Sequence, residues 1–88
     1  AGLVSADGAV RRVVEFPDPA CRPHGVVAEP DGGCWVTLWG SGELARITAG
    51  GDVERHALPG REPHGLTLTA TDVWVAMESG SLESVPRW

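Results

Sequence analysis

The 88-residue sequence has no tyrosine, one methionine and one phenylalanine, and it carries seven arginines but no lysine. Set against twelve Asp and Glu, this leaves a formal charge of −5. Such a balance argues against a cationic face that would hold nucleic acid or an anionic membrane surface. No run approaches the roughly 18 apolar residues of a membrane span, and the first segment lacks the apolar core of a signal peptide. No stretch of a dozen residues avoids Gly and Pro while repeating every 3.6 residues, which argues against a long helix. The chain begins at Ala1, not Met, in what reads as mid-pattern, and is expected to be part of something larger. A chain this short buries only about 60% of the surface its unfolded form exposes, so alone it would be marginal.

What is present favours β structure. Eleven Val and four Trp lie among twelve Gly and seven Pro, so β-branched and aromatic runs alternate with turn formers. The class is all-β.

Internal similarity sets the architecture. Pro23-His24-Gly25 recurs as Pro63-His64-Gly65, each followed by an apolar run, a turn and then Trp-Val, as Trp35-Val36 and Trp74-Val75. Gly8-Ala9-Val10-Arg11-Arg12 likewise matches Gly51-Asp52-Val53-Glu54-Arg55, and Pro17 answers Pro59. A period of about 40 residues with four short strands per unit is the pattern of a β-propeller blade. Residues 1–20 are expected to supply the two outer strands of one blade. Residues 21–61 would form a complete blade, with strands near 25–29, 34–38, 43–48 and 52–58. Residues 62–88 would supply three strands of the next, although Pro86 interrupts the third because it cannot donate to a ladder. Two blades do not close a ring, so the remaining blades or self-association are expected partners.

Paired residues of an antiparallel hairpin have numbers that sum to a constant. With turns at Asp31-Gly32 and Thr71-Asp72, His24 is expected opposite Trp39, and His64 opposite Glu78. An extended segment would turn Glu62 to the same side as His64. His24, His64, Glu62 and Glu78 would then gather at one end of the propeller channel. Two carboxylates and water can hold Mg²⁺, and a neutral imidazole beside that ion can take a proton from carbon. The same residues admit a structural reading, with each Pro-His-Gly a tight junction turn and both glutamates solvated.

The run from Arg22 to Gly40, followed by Gly42-Glu-Leu-Ala-Arg-Ile-Thr48, resembles the blades of the virginiamycin B lyase (streptogramin B lyase) family. Glu62-Pro63-His64, with Glu78 sixteen residues after Glu62, is similar to that family's catalytic Glu-x-His followed by Glu. The resemblance implies a seven-bladed ring, of which this chain would be about two blades. It implies Glu62 and Glu78 as Mg²⁺ ligands, His64 as proton acceptor and His24 as a substrate contact. It further implies an antibiotic-resistance lyase that opens cyclic depsipeptides by β-elimination at the ester. A non-enzymatic propeller that binds a ligand or protein on the same face is the alternative. Trp39 stands where the family often has Glu, so the first unit is not expected to bind metal, and its indole could instead line the channel mouth.

The other notable residues lean structural. Trp35 and Trp74 are expected in the core between blades, and His56 is expected to be solvated on an outer strand. Cys21 and Cys34 fall at opposite ends of a strand, roughly 25 Å apart by strand rise and too far to bridge. Unpaired cysteines fit a reducing cytoplasm.

Overall fold

The structure is a computed structural model that describes residues 2–4, 10–16 and 18–87. The expected repeat residues Gly8, Ala9 and Pro17 lie outside them. Three antiparallel sheets follow one another along the chain. Gly2–Val4 (β1) pairs with Val10–Val13 (β2). Pro23–Ala28 (β3), Cys34–Leu38 (β4), Glu43–Ile47 (β5) and Val53–Ala57 (β6) form a four-stranded meander in that order. Pro63–Leu68 (β7), Asp72–Met77 (β8) and Leu82–Pro86 (β9) form a three-stranded one. No α-helix occurs among the described residues; one 3-10 turn spans Pro19–Cys21.

Local chemistry sets the turns. Gly32 and Gly51 adopt φ of +96° and +95°, the left-handed region that costs glycine nothing. At the β3–β4 turn, Asp31 accepts the Gly33 N–H at 2.9 Å, and at the β7–β8 turn Thr69 Oγ1 accepts the Asp72 N–H at 3.0 Å. The strand β9 runs through to Pro86, opposite Asp72, which corrects the expected interruption. No further strand pairs with β9 among the described residues, so the missing proline N–H takes nothing from the ladder.

The β4 strand is buried on both faces. Trp35 and Thr37 point to one side and Val36 and Leu38 to the other, and none is more than 2% exposed. On the first side Trp35 and Leu44 meet Leu58, Val73, Val75 and Met77, joining the second sheet to the third. On the other, Val36, Leu38, Ala45 and Ile47 pack with Cys21, Val14 and Phe16. By contrast β8 alternates, with Val73, Val75 and Met77 buried and Trp74 left 40% exposed. Trp74 is therefore not a core residue here, because the described chain covers only one face of its sheet. His56 is half-buried rather than solvated, its ring centroid 6.1 Å from that of Trp35. Cys21 and Cys34 are both free thiols.

A buried ion pair links the two larger sheets at their turn end. Glu29 Oε1 accepts from Trp35 Nε1 at 2.7 Å and from Arg87 Nε at 3.0 Å, and Glu29 Oε2 pairs with the Arg87 guanidinium. Arg87 also donates to the Thr69 carbonyl at 2.7 Å. The guanidinium beside it holds the Glu29 carboxyl below the usual range, outweighing a desolvation that acts the other way.

Candidate functional site

Both Pro-His-Gly segments open an inner strand, and both do so through strained backbone. Arg22 and Glu62, each preceding the proline, have φ of +48° and +54°. A non-glycine residue seldom adopts the left-handed region, and a following proline ordinarily pushes it toward extended backbone. The residue's partner across the strand mouth is fixed by a main-chain bond. Trp39 N–H donates to Arg22 O at 3.0 Å, and Glu78 N–H donates to Glu62 O at 3.2 Å.

The register differs from the one expected. Across each hairpin a bulge between the proline and the fourth strand residue shifts the pairing, so Pro23 faces Leu38 and Pro63 faces Met77. Beside each turn the pairing already runs one residue short of the expected one, with Val26 opposite Val36 and Leu66 opposite Val75, and the extra residue shifts it by one more, so neither histidine faces Trp39 or Glu78. Glu62, not His64, lies across from Glu78, and Arg22, not His24, lies across from Trp39. Nor is Glu62 extended; its left-handed backbone carries it to the cluster.

The side chains nevertheless converge. One ligand atom from each of Glu62, His64 and Glu78 lies within 4.8 Å of the others. His64 Nε2 is 2.8 Å from Glu78 Oε2. The carboxylate oxygen sits off the direction a ring N–H would take, so Nε2, closed off from solvent, has no hydrogen-bond partner. Glu62 and Glu78 offer the hard oxygen donors that suit a divalent cation, and the partnerless His64 nitrogen lies beside them, so the two carboxylates fit a bound Mg²⁺ and leave the imidazole next to it. The His24 ring meets that of His64 edge-on, with centroids 5.2 Å apart. All four residues expected at the channel mouth thus stand together.

Thr37 escaped the sequence reading. Fully buried, its Oγ1 accepts the Gly25 N–H at 2.7 Å and donates to the His64 carbonyl at 2.9 Å. It ties the strand of one histidine to the strand of the other. Gly25 permits this approach: a Cβ there would lie 2.8 Å from the His64 carbonyl oxygen. The counterpart of Thr37 in the second repeat is Ala76, and that difference was the available signal.

The loop behind the cluster is pinned as well. Gly60 has φ +93°, and a Cβ on it would meet Ser79 Oγ at 2.6 Å. The Glu78 N–H is shared between the carbonyls of Arg61 and Glu62 at 3.1 and 3.2 Å, and Gly80 N–H closes the β8–β9 turn onto Met77 O at 3.0 Å. Both carboxylates therefore hang from backbone that is bonded to itself.

The sequence model of the virginiamycin B lyase family matches residues 1–85. Virginiamycin B lyase from Saccharopolyspora erythraea is 50% identical over 44 residues, which is 50% of this chain and 15% of that protein. The crystal structure of selenomethionine-substituted virginiamycin B lyase from Staphylococcus aureus is similar with a TM-score of 0.87 at 26% identity, over 99% of this chain and 30% of that one. A catalytically inactive histidine-to-alanine variant of virginiamycin B lyase from S. aureus, solved with quinupristin, shares the fold with a TM-score of 0.65. Its identity is 22%, over 97% of this chain and 33% of that one. The fold is thus a segment of an all-β propeller, and the chain spans a third or less of the relatives it matches.

Proposed function

The chain belongs to the virginiamycin B lyase family, and from that premise we propose that the protein carrying it linearises streptogramin B type cyclic depsipeptides. The proposed reaction is a Mg²⁺-dependent β-elimination at the ester bond. The observation that carries this reading is the convergence of Glu62, His64 and Glu78 within 4.8 Å.

Glu62 and Glu78 would hold the ion. Bound there, Mg²⁺ would supply Lewis-acid polarisation of the carbonyl next to the acidic carbon. His64 Nε2 takes the α-proton of the residue whose side-chain oxygen forms the ester. The C–H electron pair becomes the new C=C bond as the carbon–oxygen bond breaks, and the ester oxygen leaves with its electron pair as a carboxylate. Glu78, 2.8 Å from that nitrogen, stabilises the imidazolium that forms. His24, against the His64 ring, is the substrate contact and limits the positions the imidazole can adopt.

The test uses the full-length protein with quinupristin as substrate. Chelation should abolish opening and added Mg²⁺ should restore it. Replacing His64 with Ala should slow turnover by about 10²- to 10⁴-fold, the usual contribution of a positioned general base. Metal-independent opening, or full activity in the double variant Glu62→Gln, Glu78→Gln, would refute the reading.

A further inference from the structure

The two repeats carry the same backbone device with different side chains. Where the second repeat has Glu62 and Glu78, the first has Arg22 and Trp39. The equivalence is structural. Arg22 and Glu62 share the left-handed φ ahead of a proline, and each carbonyl accepts the N–H of the residue just past the end of its neighbouring strand, Trp39 or Glu78. Strained backbone persists where the surroundings hold it, and it clusters at sites that bind or react. In the first repeat the strain no longer aims a carboxylate at a metal. It sets the Arg22 guanidinium over the Trp39 ring, 5.7 Å from the centroid.

Stacking restrains the guanidinium plane and leaves its N–H edge available. Among the described residues that guanidinium makes no hydrogen bond or ion pair, and Arg22 is exposed. Arg22 lies two residues before His24, whose ring meets that of His64, so a cation with open donors stands one repeat away from the acidic cluster. We infer that Arg22, held by Trp39, is a binding subsite for an oxygen acceptor of the ligand, a ring carbonyl or the carboxylate released on opening. The inference rests on the lyase reading and assigns residues to the half of the face that the metal site does not use.

Binding separates the two. The probes are quinupristin and its linear opened product, titrated calorimetrically against full-length protein carrying His64→Ala, with and without substitutions at Arg22 and Trp39. Arg22→Ala should weaken binding about tenfold, the range of a charge-assisted hydrogen bond. Arg22→Lys should recover part of it, and Trp39→Phe should retain more affinity than Trp39→Ala. A larger loss for the opened product than for quinupristin assigns the subsite to the carboxylate; an equal loss assigns it to a ring carbonyl. Mn²⁺ affinity, as a probe of the acidic cluster, should stay unchanged in the Arg22 variants. Affinity for both probes within twofold in Arg22→Ala overturns the subsite and leaves the lyase reading intact. Failure of the His64→Ala protein to bind either probe overturns both.

Discussion

At the scale of single residues, the site depends on buried polar atoms that hold histidine strands in place. Thr37 Oγ1 bridges the Gly25 N–H and the His64 carbonyl from a fully buried position. Thr37→Val keeps the shape but leaves both backbone groups without their partner, and an unsatisfied buried group costs about 1–3 kcal/mol. Full-length protein with this change should unfold at lower denaturant and lose turnover, while Thr37→Ser should recover most of both. Equal turnover in the Val variant would mean that the hydroxyl does not position His64. The four residues gathered here were legible because Pro-His-Gly repeats and Glu62 sits two residues before His64. Their route was not. Pairing arithmetic needs the turn centre and a regular ladder; each hairpin turns half a residue earlier than expected, and its bulge then shifts the partner of Trp39 and Glu78 by one more. Thr37 is a lone hydroxyl among apolar neighbours, and nothing local announces that its partners belong to two other strands.

At the scale of elements, close approach of β3 and β7 is what brings the histidine rings to 5.2 Å. Gly25 is the contact point. Gly25→Ala would press a Cβ against the His64 carbonyl, 2.8 Å away in the present geometry, and backbone must shift to admit it. Such overpacking costs about 1–3 kcal/mol. Gly65, where a Cβ meets nothing within 4 Å among the described residues, should tolerate the same change with far smaller loss of thermal midpoint. Similar losses at both glycines would contradict the tight contact between the inner strands. The strands themselves were readable: Cys34–Leu38 has the expected bounds, and the other three of its sheet differ by one or two residues at their ends. Sequence could not show that the bulge extends β3 back to Pro23, nor that β9 tolerates Pro86, because both depend on which edges are paired.

At the scale of the whole molecule, sheets stack face to face, and burial follows from how many faces are covered. Matching tryptophans diverge for that reason: Trp35 is 1% exposed and Trp74 is 40% exposed. The repeat predicted the same environment for both, since periodicity describes a unit and not its neighbours. Leu44, fully buried between sheets, should cost about 2–5 kcal/mol when changed to Ala. The Glu29–Arg87 clasp across sheets gives stability an acid limit. Its carboxyl lies below the ordinary value of 4.5 because Arg87 favours the charged form, so its contribution is complete above that pH and is lost as pH falls through the lower folded value. Glu43, lowered in the same direction by Arg55, adds to the effect. Thermal midpoints should therefore drop on acidification below about pH 4.5, and Glu29→Gln should flatten that drop. An unchanged profile in the variant would place the acid sensitivity elsewhere.

The central claim is that Glu62, His64 and Glu78 form a metal-assisted base that opens an ester by elimination. Mass spectrometry of the product made by the full-length protein from quinupristin with Mg²⁺ tests it most directly. Elimination predicts a linear product with the mass of the substrate and a new carbon–carbon double bond. A product heavier by one water would mean hydrolysis, and would contradict the role given to His64.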